Sequence, residues 1–209
     1  MNLLSFCAFC AFCGPPSVPD VLPDLDPDLL RRAQARDEAA FGVIMRSHYE
    51  STFRLVCAIT HNEADARDIC QDVWLTVWQQ LGTFRGDARF TTWLHAIATR
   101  RALDHLRKRR RWFDRFLPFD TGDKSTASAP EPITTDDASQ QLEVSENVAR
   151  VRTALAALPP KHRAVLALRE LEGQSYEEIA ESVGIPVGTV MSRLHQARRL
   201  LAEKLGKPV

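Results

Sequence analysis

The sequence is short of glycine, with nine in 209 residues. No stretch alternates apolar and polar residues for the length of a strand, so an all-α fold is expected. There is also no long apolar run. The one near the amino terminus is too short to span a bilayer. It lacks the basic flank and small-residue cleavage site of a secretory signal, so no membrane insertion is expected. The chain has no nucleophile–base pair, no phosphate-cradling loop and no metal-hydrolase motif. Nothing in it calls for an enzyme, and no catalytic residue or cofactor is assigned. Finally, it has no net charge: 27 Lys and Arg stand against 27 Asp and Glu. Taken alone, that neutrality argues against a nucleic-acid partner.

Divided by segment, the charge is anything but neutral. Residues 85–115 carry ten basic and three acidic side chains, and residues 151–209 carry nine and six. Between them, residues 116–150 carry two basic and seven acidic. Local field, not total charge, governs contact with phosphate. Two basic parts separated by an acidic one suit a protein that touches nucleic acid at two places.

The most informative stretch is SYEEIAESVGIPVGTVMSRLHQARRLL, from Ser175 to Leu201. Ser175 and Glu178 stand at the spacing of a capping box, so a helix starts there. Gly184 ends it, because glycine accepts the positive φ needed past a helix end. Pro186 carries the chain across a turn. Val187, Val190, Leu194, Ala197 and Leu201 then recur at helical spacing, while Thr189, Ser192, Arg193, Gln196 and Arg199 fall on the other side. Small Ala180 permits close approach, and Val190 falls in the angle between the helices. This is the helix-turn-helix pattern, whose second helix enters the DNA major groove. The plainer alternative is a helical hairpin inside a bundle, but its outer face need not be basic.

The rest of the chain reads as follows. Cys7, Cys10 and Cys13 stand at C-x2-C-x2-C spacing with no fourth ligand nearby, so no metal is assigned to them. Residues 1–24 are read as a disordered tail. A short helix is expected over Leu29–Gln34. Asp37 caps the next helix, which carries Phe41, Ile44, Met45, His48, Val56 and Ile59 inward. His48 is read as a packed structural histidine. Cys57 and Cys70 are read as small core residues. Asn62 caps a third helix with a strong apolar stripe from Ile69 to Leu81. Its opposite face carries Asp65, Asp68, Gln71 and Asp72, a like-charge arrangement that costs about 0.2–0.5 kcal/mol per pair. Residues 82–89 form a loop. A long helix starts at Phe90 and ends in the basic run Arg107–Arg111. Trp93 with Thr92, His95, Thr99 and Arg100, read as exposed, suits splayed bases and phosphates. Residues 117–145 show no period and are acidic, which reads as a linker. Helical periodicity returns near Val144, breaks at Pro159-Pro160, and resumes in KHRAVLALREL up to Gly173.

Four stretches in order resemble one family, the bacterial extracytoplasmic-function (ECF) sigma factors, sigma-70-type subunits of RNA polymerase. They are DEAAFGVIMRSHY, ADARDICQDVWLTVWQQL, FRGDARFTTWLHAIATRRALDHLRKRRR and ALPPKHRAVLALRELEGQSYEEIAESVGIPVGTVMSRLHQARRLL. The resemblance covers roughly Leu29 to Leu205, apart from the acidic stretch. It implies two small helical domains: region 2 over 25–112 and region 4 over 145–206, joined by a flexible linker over 113–144. Region 2 would bind the β′ clamp helices of core polymerase through Asp65, Asp68, Gln71, Asp72 and Leu75. It would take the minus-ten element through Trp93, Arg100, Arg107 and Lys108. Where many relatives have Asn, this chain has Arg100, which cannot accept a hydrogen bond as Asn does. Region 4 would bind the β flap and read the minus-thirty-five element through Thr189, Met191, Ser192, Arg193, His195, Gln196, Arg198 and Arg199. Met191 replaces a family Lys or Arg, which favours apolar contact with a thymine methyl over a charge contact. The resemblance further implies promoter DNA as ligand, an anti-sigma factor as partner, and a cytoplasmic protein, held at the membrane only through that partner.

Two other readings are open at this point. One is a metal-sensing DNA-binding regulator using Cys7, Cys10 and Cys13. The other is a recombinase-type enzyme that uses its helix-turn-helix only for targeting.

Overall fold

The computed structural model describes residues 25–116 and 138–206. The cysteine-bearing tail and residues 117–137 of the acidic stretch lie outside them. The described residues form eight α-helices and one 3-10 turn, with no strand.

The first three helices start where short polar side chains can hold free amide groups. Helix α1 spans Pro27–Gln34. Asp26 caps it by accepting from the Asp28 amide at 3.0 Å. Pro27 takes the first position, where a missing N–H is harmless, so the helix begins two residues earlier than expected. Helix α2 spans Glu38–Thr60, capped by the Asp37 carboxylate on the Ala39 and Ala40 amides. Helix α3 spans Glu63–Gln80, capped by Asn62 on the Asp65 amide at 2.9 Å. A 3-10 turn over Leu81–Thr83 and a loop lead to α4, Phe90–Phe116.

Helices α2, α3 and α4 pack on one another around Ile44, Leu55, Ile59, Val73, Val77 and Leu94, all fully buried. Each such side chain contributes about 1.5–3 kcal/mol through removal from water. Cys57 and Cys70 sit in this core, as does His48. Helix α1 lies against α2, and Gln34 donates to the carbonyls of Leu81 and Phe84, tying the loop's entry to the bundle.

The second group of helices comprises α5 (Ala138–Ala156), α6 (Pro160–Glu170), α7 (Tyr176–Val183) and α8 (Val187–Lys204). The capping box of α7 is complete. Ser175 Oγ accepts from the Glu178 amide at 3.1 Å, and Glu178 Oε2 accepts from the Ser175 amide at 2.8 Å. Gly184 has φ +70° and returns its N–H to the Ala180 carbonyl at 2.9 Å.

Helix α4 runs on through Phe116, and α5 starts at Ala138. Both therefore extend into the 113–144 span read as linker. Arg110 and Asp114 pair one turn apart at 3.7 Å, and the first proline after Trp112 is Pro118. No breaker lies between Pro132 and Pro159. The helices continue until something stops them.

The two groups of helices touch. Helix α7 packs along α4, and α6 packs along α2. One apolar cluster runs unbroken from Ala33 to Ala197.

Candidate nucleic-acid interface

Helices α7 and α8 build the helix-turn-helix as their spacing demands. Val190, Leu194 and Ala197 are almost fully buried on the inner side of α8. Met191, Ser192, His195, Gln196, Arg198 and Arg199 are exposed on the outer side, with Met191 half exposed at 50%. Thr189 and Arg193 are half-buried at the edge. Several of these side chains already have partners. Ser192 Oγ donates to the Thr189 carbonyl at 3.0 Å, and Gln196 Oε1 meets His162 of α6 at 3.0 Å. Arg198 pairs with Glu170 at 2.9 Å, and that hydrogen bond raises its already high pKa. Arg199 pairs more loosely with Glu203 at 3.6 Å. These surface pairs contribute little, about 0–1 kcal/mol, so a phosphate can displace them at small cost.

On α4, Trp93, Arg100 and Arg107 recur every seven residues and so share a face. Trp93 is half-buried and leans on the rings of Phe84 and Phe90, at 5.2 and 5.8 Å. Phe84 belongs to the 82–89 loop and is half-buried like Trp93, while Phe90 behind them is buried. Arg100, Arg107 and Lys108 are exposed, with Arg107 paired to Asp104.

On α3, Asp68, Gln71 and Asp72 are exposed, and Leu75 is 60% exposed. Beside Leu75 runs an apolar groove lined by Phe41, Met45, Trp74 and Trp78. Asp65 differs from the other acids on this helix. It bonds Arg109 of α4 and lies 3.5 Å from His105 Nε2. The five residues read as one contact face are thus divided: four present themselves to solvent and Asp65 turns toward α4.

The expectation that Thr92, His95 and Thr99 are exposed is corrected. Their exposures are 3%, 4% and 0%. Thr92 contacts Glu178 and Ser182 of α7, and His95 contacts Gln174 in the turn before it. A directed chain of polar contacts crosses the contact. Ser182 Oγ lies 3.3 Å from Gln174 Oε1, and Gln174 Nε2 lies 3.1 Å from His95 Nδ1. His95 Nε2 lies 3.3 Å from Glu172 Oε2. With Nδ1 accepting from the Gln174 amide, the imidazole proton belongs on Nε2, facing Glu172. Burial holds the His95 imidazole down to about 3, helped by repulsion from His48. Burial pushes the Glu172 carboxyl up to about 7, opposed by Arg54. Both shifts favour an uncharged pair, as a dry interior demands.

Arg163 of α6 makes the second polar tie, donating to Ile59 at the end of α2 and to Ala156. Reading the sequence alone missed Arg163, Glu172, Gln174 and Ser182. The signal available for Arg163 was its place inside the apolar run of KHRAVLALREL. Glu172, Gln174 and Ser182 carried none.

Comparison with known proteins places this geometry in a family. The Sigma-70 region 2 model matches residues 44–112 and the Sigma-70, region 4 model matches residues 148–201. The RNA polymerase sigma-H factor of Pseudomonas aeruginosa is 34% identical over 187 residues, covering 86% of this chain and 93% of that protein. The chain belongs to the ECF group of the sigma-70 family. The ECF RNA polymerase sigma-E factor of Escherichia coli K12 is 32% identical over 184 residues, covering 86% and 94%. This sigma factor directs promoter-specific initiation of transcription. Its fold is shared with the sigma factor RpoE of Bartonella quintana, solved with the anti-sigma factor NepR. The TM-score is 0.62 at 23% identity, covering 79% of this chain and 96% of that one. CnrH, solved with the cytosolic domain of CnrY, gives a TM-score of 0.58 at 23% identity, covering 86% and 96%. The region 2 match spans α2 from Ile44 through most of α4. The region 4 match spans the end of α5 through most of α8.

Proposed function

We propose that this protein is an alternative, signal-responsive sigma subunit that divides its work among three faces. Asp68, Gln71, Asp72 and Leu75 of α3 hold the β′ clamp helices of core polymerase. Asp65 braces that face from behind by fixing α3 to α4. Trp93, Arg100, Arg107 and Lys108 of α4 hold the melted minus-ten strand, with the half-buried rings of Phe84 and Trp93 as a stacking platform backed by buried Phe90. The outer side of α8 reads the minus-thirty-five duplex. Met191, Ser192 and His195 meet base edges, Arg193, Arg198 and Arg199 meet phosphates, and Thr189 and Gln196 flank them. The remainder of the 145–206 domain meets the β flap. The sigma factor works in the cytoplasm, and an anti-sigma factor restrains it.

The observation that carries this reading is the reversal of charge between exposed faces. The outer side of α3 is acidic with an apolar residue in its midst, which suits a basic protein partner. Those of α4 and α8 are rich in arginine, which suits phosphate.

Run-off transcription tests it. Purified protein added to core polymerase is expected to start transcripts from native genomic fragments that share two spaced elements. Failure both to associate with core polymerase and to start any defined transcript would overturn the reading.

A further inference from the structure

One outward-facing side chain of α8 is oriented by a ring from a different helix. His162, in the first turn of α6, has its Nε2 3.0 Å from Gln196 Oε1. The other ring nitrogen, Nδ1, is buried and has no hydrogen-bond partner among the described residues. A proton placed on Nδ1 would be a buried N–H without an acceptor, at the full desolvation cost of that group. A proton on Nε2 meets an oxygen instead. The ring proton therefore belongs on Nε2, and Gln196 Oε1 accepts from it. The packing of α6 on α8 holds the two groups together. Ala197, next to Gln196, is fully buried, and Arg198 beyond it pairs with Glu170 at the far end of α6.

An amide whose oxygen is turned toward α6 turns its NH2 group away from it. Gln196 is exposed, and exposed Ser192 stands one turn before it on the same side of α8. Resting on the assignment of that side to the minus-thirty-five duplex, we propose that His162 is a positioning residue for base reading. By holding Gln196 Oε1, it makes Gln196 a donor to the major groove. A free glutamine reads adenine with both ends of its amide, accepting from N6 and donating to N7. Gln196 with its oxygen held offers the NH2 group alone. That suits guanine, whose O6 and N7 both accept, and forfeits the match to adenine. Helix α6 thus takes a share in sequence choice without a base contact of its own.

The test uses the full chain with core polymerase and duplex fragments randomised across the upstream element. Sequencing the bound fraction gives the base preference at each position. At the position that responds to Gln196→Ala, the wild-type complex is expected to favour guanine over adenine by about ten-fold, within the range of one such base contact. His162→Phe keeps a ring and removes the donor. It should bring that ratio to near one or reverse it, with the other positions unchanged. His162→Gln returns an N–H donor and should restore most of the ratio. On a Gln196→Ala background, replacing His162 should change nothing further. The unsubstituted chain gives a second measurement, since proton–nitrogen correlation spectra should show the His162 ring proton on Nε2. If His162→Phe loses its helical circular dichroism, His162→Leu takes its place. A guanine preference unmoved by loss of the donor, no preference that depends on Gln196, or a proton on Nδ1 overturns the positioning role. A complex that enriches no upstream element at all overturns instead the assignment of α8 beneath it.

Discussion

Arg163 donates its Nε–H to the carbonyl oxygen of Ile59 at 2.7 Å, although 104 residues separate them. Arg163 is 5% exposed, and its guanidinium also donates to the Ala156 carbonyl at 2.9 Å. One side chain thus closes the end of α2, the end of α5 and the start of α6 on each other. Burial, with repulsion from Arg109, lowers its pKa to about 10, which leaves it charged at neutral pH.

Replacing Arg163 is therefore expected to cost more than a surface change. Arg163→Met strands buried carbonyl groups, a loss of about 1–3 kcal/mol. Arg163→Lys recovers little of it, since an ammonium lacks the planar fork that serves both carbonyls. Urea unfolding checks this. Midpoints for both variants should fall well below wild type, and a lysine variant equal to wild type would count against the geometry.

The capping box predicts a smaller loss at one end of α7. Ser175→Ala removes the acceptor for the Glu178 amide and should destabilise by about 0.5–2 kcal/mol, while Ser175→Thr keeps the acceptor. Thermal melts should order the three proteins wild type, threonine, alanine. Equal melting temperatures for all three would show that the cap carries no stability.

Aspartates one turn apart on α3 should behave differently. Asp68→Arg reverses charge on an exposed side chain and should weaken core polymerase binding at least ten-fold with little change in melting temperature. Asp65→Asn weakens the tie to Arg109 and His105, and should lower stability slightly while sparing polymerase affinity. Pull-down against core polymerase, paired with melts, separates the two. Equal effects on both readouts would reject the division of roles.

Arg193→Ala should weaken binding to minus-thirty-five duplexes uniformly across sequences and lower the slope of log affinity against log salt by about one. Ser192→Ala and His195→Ala should instead change the ranking of sequences. Fluorescence anisotropy at several salt concentrations measures both, and an unchanged slope for Arg193→Ala would remove it from the phosphate contacts.

Acid should destabilise the fold. Burial holds His61 and His95 at about 3, with Arg163 and Arg152 adding repulsion at His61, and burial lowers His48 as well. Their ordinary value is 6.5, so below that pH the unfolded chain takes up protons that the folded chain refuses. Their contribution is complete above about 6.5 and is lost progressively toward 3. Glu172 works in the opposite sense. Raised from 4.5 to about 7, its favourable share is complete below 4.5 and lost as pH rises toward 7. Between 4.5 and 6.5 it offsets one of His61 and His95, and the other still drives a net loss, in the same sense as His48. Melting temperature should therefore fall between pH 6.5 and 4.5, and less steeply in His61→Asn. A flat profile would show that these imidazoles are hydrated.

Much of this molecule follows from local chemistry. Asp37, Asn62 and Ser175 with Glu178 announce helix starts because an amide without a partner must find one nearby. Gly184 announces an end because only glycine takes that φ without strain. The period of Val190, Leu194 and Ala197 separates the inner side of α8 from the outer, which is why its outward-facing residues were legible. The division between Asp65 and Asp68 was not. Both are carboxylates on one helix, and only the approach of Arg109, 44 residues away, distinguishes them. Nor was the covering of Thr92, His95 and Thr99. Apolar periodicity reveals a face that must be buried, but a polar face closed by polar partners leaves no such trace. Ser182, Gln174 and Glu172 read as ordinary surface residues until the chain folds back and removes water from between them.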